Sequence, residues 1–243
     1  MRMMVLVLAV TALSGCERER ASAPVDAPVV PAAFSYEGAN AKTPEEIRTH
    51  GERLAYVLGC AGCHGEDYAG TNVTEGEPGW GKMYAANLTL LMDQYSDEEL
   101  DRAIRLGVPK DGHEMIFMPS EAFEPLSDAD VAAIIAHLRT LKPKGEKMPP
   151  HEPGPIYQEM VKHGYKGTAD AVQQWKGKGP IDLGEQLALG RYIARTTCSE
   201  CHDLELKGTP GFTPDLDIAG MYSNAELDRL LITGVGKTNR TSA

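Results

Sequence analysis

The sequence predicts an all-α chain made of two small helical domains, the second lacking its C-terminal segment. Three observations carry this expectation. Helix-start signals recur ahead of apolar stripes, one capped helix occurs twice, and no segment alternates apolar and polar residues at the period of a strand.

The elements follow in order. Thr43-Pro44-Glu45-Glu46 offers an N-cap, a proline at the first helical position and a glutamate at N3. The helix it opens carries GERLAYVLG, with Leu54, Val57 and Leu58 as its stripe, and runs into CAGCH at Cys60–His64. Residues 95–108, YSDEELDRAIRLGV, then match residues 222–235, YSNAELDRLLITGV. Both copies have Ser at the N-cap (Ser96, Ser223), Glu at N3 (Glu99, Glu226) and Gly at the stop (Gly107, Gly234). After the first copy comes a loop, PKDGHEMIFMPSEAFEP, and a last helix capped by Ser127. Ile134, Ile135, Leu138 and Leu141 stand at core spacing there, and Pro143 ends it.

Residues 144–181 are rich in Lys, Gly and Pro and read as an irregular linker, in which IYQEMVKHG is a short helix. Asp182 with Glu185 opens the helix LGEQLALGRYIARTT, striped by Leu187, Tyr192 and Ile193, which runs into CSECH at residues 198–202. The expected division is therefore 44–143, a linker at 144–181, and 182–243.

Ahead of these lie two further segments. MRMMVLVLAVTALSGC has one arginine and then an apolar run too short to span a membrane, as in a secretory signal. Its ending, Leu13-Ser14-Gly15-Cys16, resembles a bacterial lipobox, in which Cys16 is lipidated and begins the mature protein; an ordinary signal peptide with a coincidental cysteine is the alternative. Residues 17–43, rich in Ala, Pro and Ser, read as a flexible tether with a reach of roughly 30 Å.

The net charge of −11 disfavours nucleic acid as a partner, because phosphate repels it. It fits either a solvated soluble surface or one that steers a basic docking partner.

Of five cysteines, four fall in two C-x-x-C-H units. That pattern attaches c-type haem: Cys60 and Cys63, and Cys198 and Cys201, form thioethers along one porphyrin edge, and His64 and His202 lie under the iron as proximal ligands. A single Cys₄ zinc site is the rival, but the pairs are far apart in sequence and zinc does not require a histidine after each pair. A methionine thioether is a common sixth ligand, favouring Fe(II). Downstream of the first unit the candidates are His113, Met115 and Met118, with plain core packing as the alternative for either methionine. Met118 leads because Pro119 fixes the backbone beside it just before the last helix.

With CAGCHG, Asn87-Leu88-Thr89, Gly107-Val108, Met118-Pro119 and SDADVAAIIAHL in view, residues 44–143 resemble a class I cytochrome c domain of the kind found in haem subunits of periplasmic dehydrogenases. The resemblance implies that Met118 is the distal iron ligand. Leu90 stands where a proline is common, and His137 where an aromatic residue is usual; His137 reads as an edge-of-core histidine. The second copy resembles the family through CSECHD, Pro214-Asp215-Leu216 and its capped helix. Carried forward by the repeat, the position of Met118 falls past Ala243, and Met221 aligns with Gln94 instead. The expectation is either a partial sequence or an open second haem.

The functional expectation is an exported, lipid-anchored dihaem cytochrome with two haem c groups, an electron carrier and not an enzyme. It would pass single electrons from a periplasmic dehydrogenase or quinol-linked donor to an oxidase or another cytochrome, on the periplasmic side of a bacterial membrane that it contacts through the lipid alone. The rivals are a dihaem peroxidase using an open second haem, and a haem domain for sensing or assembly. His50, His151 and His163 read as solvent-facing or linker side chains, and Trp80 as either a haem-lining or an ordinary packed loop aromatic.

Overall fold

The computed structural model describes Tyr36 and residues 39–237. Its helices in chain order are α1 (Pro44–Val57), α2 (Cys60–His64), α3 (Asp97–Leu106), α4 (Ser120–Phe123), α5 (Asp128–Leu138), α6 (Pro155–Lys162), α7 (Thr168–Trp175), α8 (Ala188–Ile193), α9 (Ser199–His202) and α10 (Asn224–Thr233). Among the described residues the strands are two residues each. They are β1 (Thr71–Asn72), β2 (Gly81–Lys82), β3 (Tyr84–Ala85) and β4 (Glu152–Pro153), pairing antiparallel as β1 with β3 and β2 with β4. The helical fold class is as the sequence predicts. None of these helices is long and apolar enough to cross a membrane.

The predicted caps form. Capping boxes close around Thr43 and Glu46, Ser96 and Glu99, and Ser223 and Glu226, so the first orphan N–H groups of α1, α3 and α10 are satisfied locally. Gly107 and Gly234 end their helices in the left-handed conformation that glycine adopts without a Cβ penalty.

The core forms where α1 crosses α5. Leu54 and Ala55 are fully covered and meet Val131, Ile134, Ile135 and Leu138. The two backbones approach at Gly51, where an added Cβ would lie 1.8 Å from the Ala133 carbonyl oxygen. Val57, placed by the sequence in the stripe, is 43% exposed, because the core contact follows His50, Gly51, Leu54 and Leu58.

A polar hub lies at the edge of this core. Asp130 is fully buried; its Oδ1 accepts from His50 Nε2 at 2.8 Å, and its Oδ2 from Tyr36 N at 2.9 Å, Ser127 Oγ at 2.9 Å and Tyr192 Oη at 3.1 Å. His50 is therefore an interior residue and not solvent-facing. Tyr36 is buried although it falls in the segment read as a tether. Through Tyr192 and Leu204 the segment after residue 182 joins the same buried cluster as α1 and α5.

The segment 144–181 is more ordered than its composition implies. β4 pairs with β2, α6 forms where the short helix was expected, and α7 packs against α3 and α4. Beyond it, the predicted continuous helix is broken. Asp182 does not cap it; its Oδ1 accepts from Gly184 N at 2.9 Å in a local turn instead. A short 3₁₀ turn, α8 and a π-helical turn (Ala194–Cys198) then lead into α9. Of the expected stripe only Tyr192 is buried; Leu187 is 49% and Ile193 38% exposed.

Candidate haem-attachment site

Gly59, in the left-handed conformation, turns the chain sharply from α1 into α2, which presents Cys60, Cys63 and His64 to an apolar cavity. The cavity contains about 1440 Å³ free of protein atoms, part of it open to solvent. Leu100, Ile104, Phe123 and Ile134 from α3, α4 and α5 form part of its wall.

The histidine is held in one orientation. His64 Nδ1 donates to the Ala86 carbonyl oxygen at 2.8 Å, so the proton sits on Nδ1 and Nε2 keeps its lone pair. Burial depresses the His64 pKa and the bond to Ala86 offsets part of that, which favours a neutral imidazole. Around it, Gly70 N donates to the His64 carbonyl oxygen at 2.8 Å and Thr71 Oγ1 to that of Cys63 at 2.6 Å.

Among the described residues Cys60, Cys63, Cys198 and Cys201 form no disulfide. Burial pushes Cys60 up to about 12 and also raises Cys63, with Glu200 adding to both. Such surroundings oppose a thiolate but not a neutral thioether. Among the described residues no group of three or more His, Cys, Asp or Glu side chains is arranged to hold a metal ion.

Met118, Met115 and His113 line the same cavity as His64. His113 is largely exposed and paired with Asp111 at 2.5 Å, whereas Met118 packs against the core. Phe117, just before Met118, has φ +64, a conformation costly for a bulky side chain, and its ring sits among Trp80, Tyr157 and Tyr165. Trp80 is thus a packed loop aromatic on the outer side of the methionine loop and not among the cavity-lining residues. His151 does line the cavity, with Nδ1 accepting from Tyr84 N at 3.1 Å; sequence reasoning placed it in the linker, since nothing local shows that β4 returns to β2. His163 is exposed beside Glu159, and His137 lies at the core edge against Tyr68 with its Nε2 buried and unpartnered.

The second motif repeats the local design. His202 Nδ1 donates to the Pro214 carbonyl oxygen at 2.8 Å, Gly208 N to that of His202 at 2.7 Å, and Thr213 Oγ1 to that of Cys201 at 2.5 Å. Leu206 matches Tyr68 in its positive φ, and its carbonyl accepts from Leu216 N as that of Tyr68 accepts from Leu88 N, both at 2.9 Å. Cys198, Cys201 and His202 do not line the first cavity, but Glu200, in the spacer between the two cysteines, does. The counterpart of the methionine loop is not among the described residues, and Met221 is 71% exposed. Cys16 lies outside the described residues.

An apolar cavity with two thiols and one free imidazole nitrogen on one wall, and a thioether on its lining, fits a covalently attached haem. Residues 49–142 match the cytochrome c family model, so the chain carries a cytochrome c family domain, which implies haem c. The chain is also similar to a protein of Cereibacter sphaeroides described as diheme cytochrome c-type, 28% identical over 63% of this chain and 56% of that protein. It is 30% identical to the fructose dehydrogenase cytochrome subunit of Gluconobacter japonicus, over 68% of this chain and 36% of that subunit. The chain thus spans only part of the length of either relative.

Proposed function

We propose that the protein is an exported dihaem c-type cytochrome that relays single electrons between redox proteins and is not itself a catalyst. The observation that carries this reading is the recurrence at His202 of the hydrogen bonds around His64: two units with one geometry support two haem c sites. When bound, haem supplies one-electron cycling between Fe(III) and Fe(II). The residues do the rest. Cys60 and Cys63, and Cys198 and Cys201, anchor the group; His64 and His202 each offer Nε2; Met118 offers a thioether that favours the reduced state; the apolar wall keeps water away.

The donor in this reading is a periplasmic dehydrogenase or a quinol-linked protein, and the acceptor an oxidase or another cytochrome. The similarity to a fructose dehydrogenase cytochrome subunit supports a dehydrogenase as donor. The lipobox-like ending at Cys16 supports export to the periplasmic side of a bacterial membrane, with contact through acyl chains alone. An optical redox titration of protein matured with haem-ligation machinery tests the relay. Two reversible one-electron steps without peroxide turnover support it; peroxide turnover by the reduced protein would replace it with the enzyme reading. Release from the membrane fraction on Cys16→Ser tests the anchor.

A further inference from the structure

The methionine loop is bound from outside the region that matches the cytochrome c family, which ends at residue 142. Thr168 opens α7 and is 2% exposed. Its backbone N donates to the Met115 carbonyl oxygen at 2.9 Å, and its Oγ1 donates to the Met118 carbonyl oxygen at 3.0 Å. One residue thus grips both methionines of this loop, Met115 and Met118. Tyr165 supplies a third tie, its Oη accepting from Phe117 N at 3.3 Å. Gly107 lets α7 come this close, since a Cβ there would lie 2.4 Å from Thr168 Cγ2.

These ties fall on a strained segment. Phe117 holds a positive φ, and such a conformation persists where its surroundings over-determine it. The loop itself, from Pro109 to Pro119, contains no helix or strand to fix it. Its backbone is tied instead to the strap formed by α6, α7 and the turn between them, which the sequence presents as a linker.

We infer that Thr168 is a positioning residue for Met118: the strap 154–175 locks the methionine loop from outside the haem domain and so sets how firmly the distal thioether is held. This rests on the reading of Met118 as distal ligand. A loop released from the strap lets the methionine leave the iron more often, which disfavours Fe(II) and opens the site to added ligands.

The test uses the full haem-loaded chain with Thr168→Val, which removes the hydroxyl donor at nearly constant shape, and Thr168→Ser, which retains it. Three signals are read: the methionine-to-iron charge-transfer band, the midpoint potential of the first haem, and the rate at which imidazole displaces the distal ligand. Thr168→Val should displace several-fold faster and titrate at a lower potential, with Thr168→Ser close to the native protein. A native-like rate and potential in Thr168→Val would overturn the inference. If Thr168→Val does not mature, Tyr165→Phe is judged by the same criteria. Met118→Ala separates the two levels: a band that survives it refutes the ligand assignment itself, whereas a band lost in Met118→Ala but untouched in Thr168→Val refutes only the strap.

Discussion

His202 Nδ1 lies 2.8 Å from the Pro214 carbonyl oxygen, and His64 Nδ1 lies the same distance from that of Ala86. The ring that each motif presents is therefore fixed in one tautomer by a backbone acceptor, a stronger constraint than two sequence motifs alone. It predicts that His64→Ala and His202→Ala each perturb one haem spectrum while leaving its thioether bonds intact. Low-spin absorbance of each variant, set beside its intact mass, checks this.

The crossing of α1 and α5 depends on a missing side chain. A Cβ at Gly51 would sit 1.8 Å from the Ala133 carbonyl oxygen, so Gly51→Ala must push the two helices apart. Overpacking of this kind costs about 1–3 kcal/mol or more. Leu54→Ala at the same crossing, where the side chain is fully buried, should cost about 2–5 kcal/mol. Denaturant unfolding of the haem-loaded variants measures both.

Asp130 joins α1, α5 and the segment that leads to the second motif. Asp130→Ala strips acceptors from His50, Tyr36 and Tyr192 at once. Each buried donor left without a partner costs about 1–3 kcal/mol, so the loss should exceed that of Tyr192→Phe, which removes a donor and leaves Asp130 its other bonds. Comparing the two variants by urea unfolding tests the ranking.

The Glu121 carboxyl gives a pH dependence. Burial pushes its pKa up, against a backbone hydrogen bond and nearby Arg195, and its Oε2 has no hydrogen-bond partner. The folded state thus binds this proton more tightly than the unfolded chain. The stability so contributed is fully present below the unfolded carboxyl pKa of about 4.3 and is lost as pH rises through the raised folded value. Glu121→Gln should therefore be more stable than the native protein at neutral pH, with the advantage shrinking on acidification. Thermal unfolding of both proteins across that range reads the difference; a constant gap would show that Glu121 is not the cause.

Much of this was legible before the structure. N-caps are local, so Thr43, Ser96, Ser127 and Ser223 could be read directly, as could the two C-x-x-C-H motifs and the position of Met118 on a loop between two helices. What escaped depends on distant partners. His50 reads as an exposed helix residue until Asp130, eighty positions on, is placed against it. The pairing of β4 with β2 spans two residues per strand, too short for any periodic signal, and with the bond from Tyr84 N it places His151 at the cavity. Asp182 and Glu185 have cap spacing, yet Gly184 at φ +109 diverts the backbone there. Thr168 has no motif at all; its role exists only because Gly107 leaves room for α7.

Haem stoichiometry by alkaline pyridine spectroscopy and intact mass, on protein matured with the export and ligation machinery, tests the central claim most directly. Two covalent haems per chain are predicted, one lost in the double variant Cys60→Ala with Cys63→Ala and the other in Cys198→Ala with Cys201→Ala. A single haem, with Cys198 and Cys201 titrating as free thiols, would contradict it.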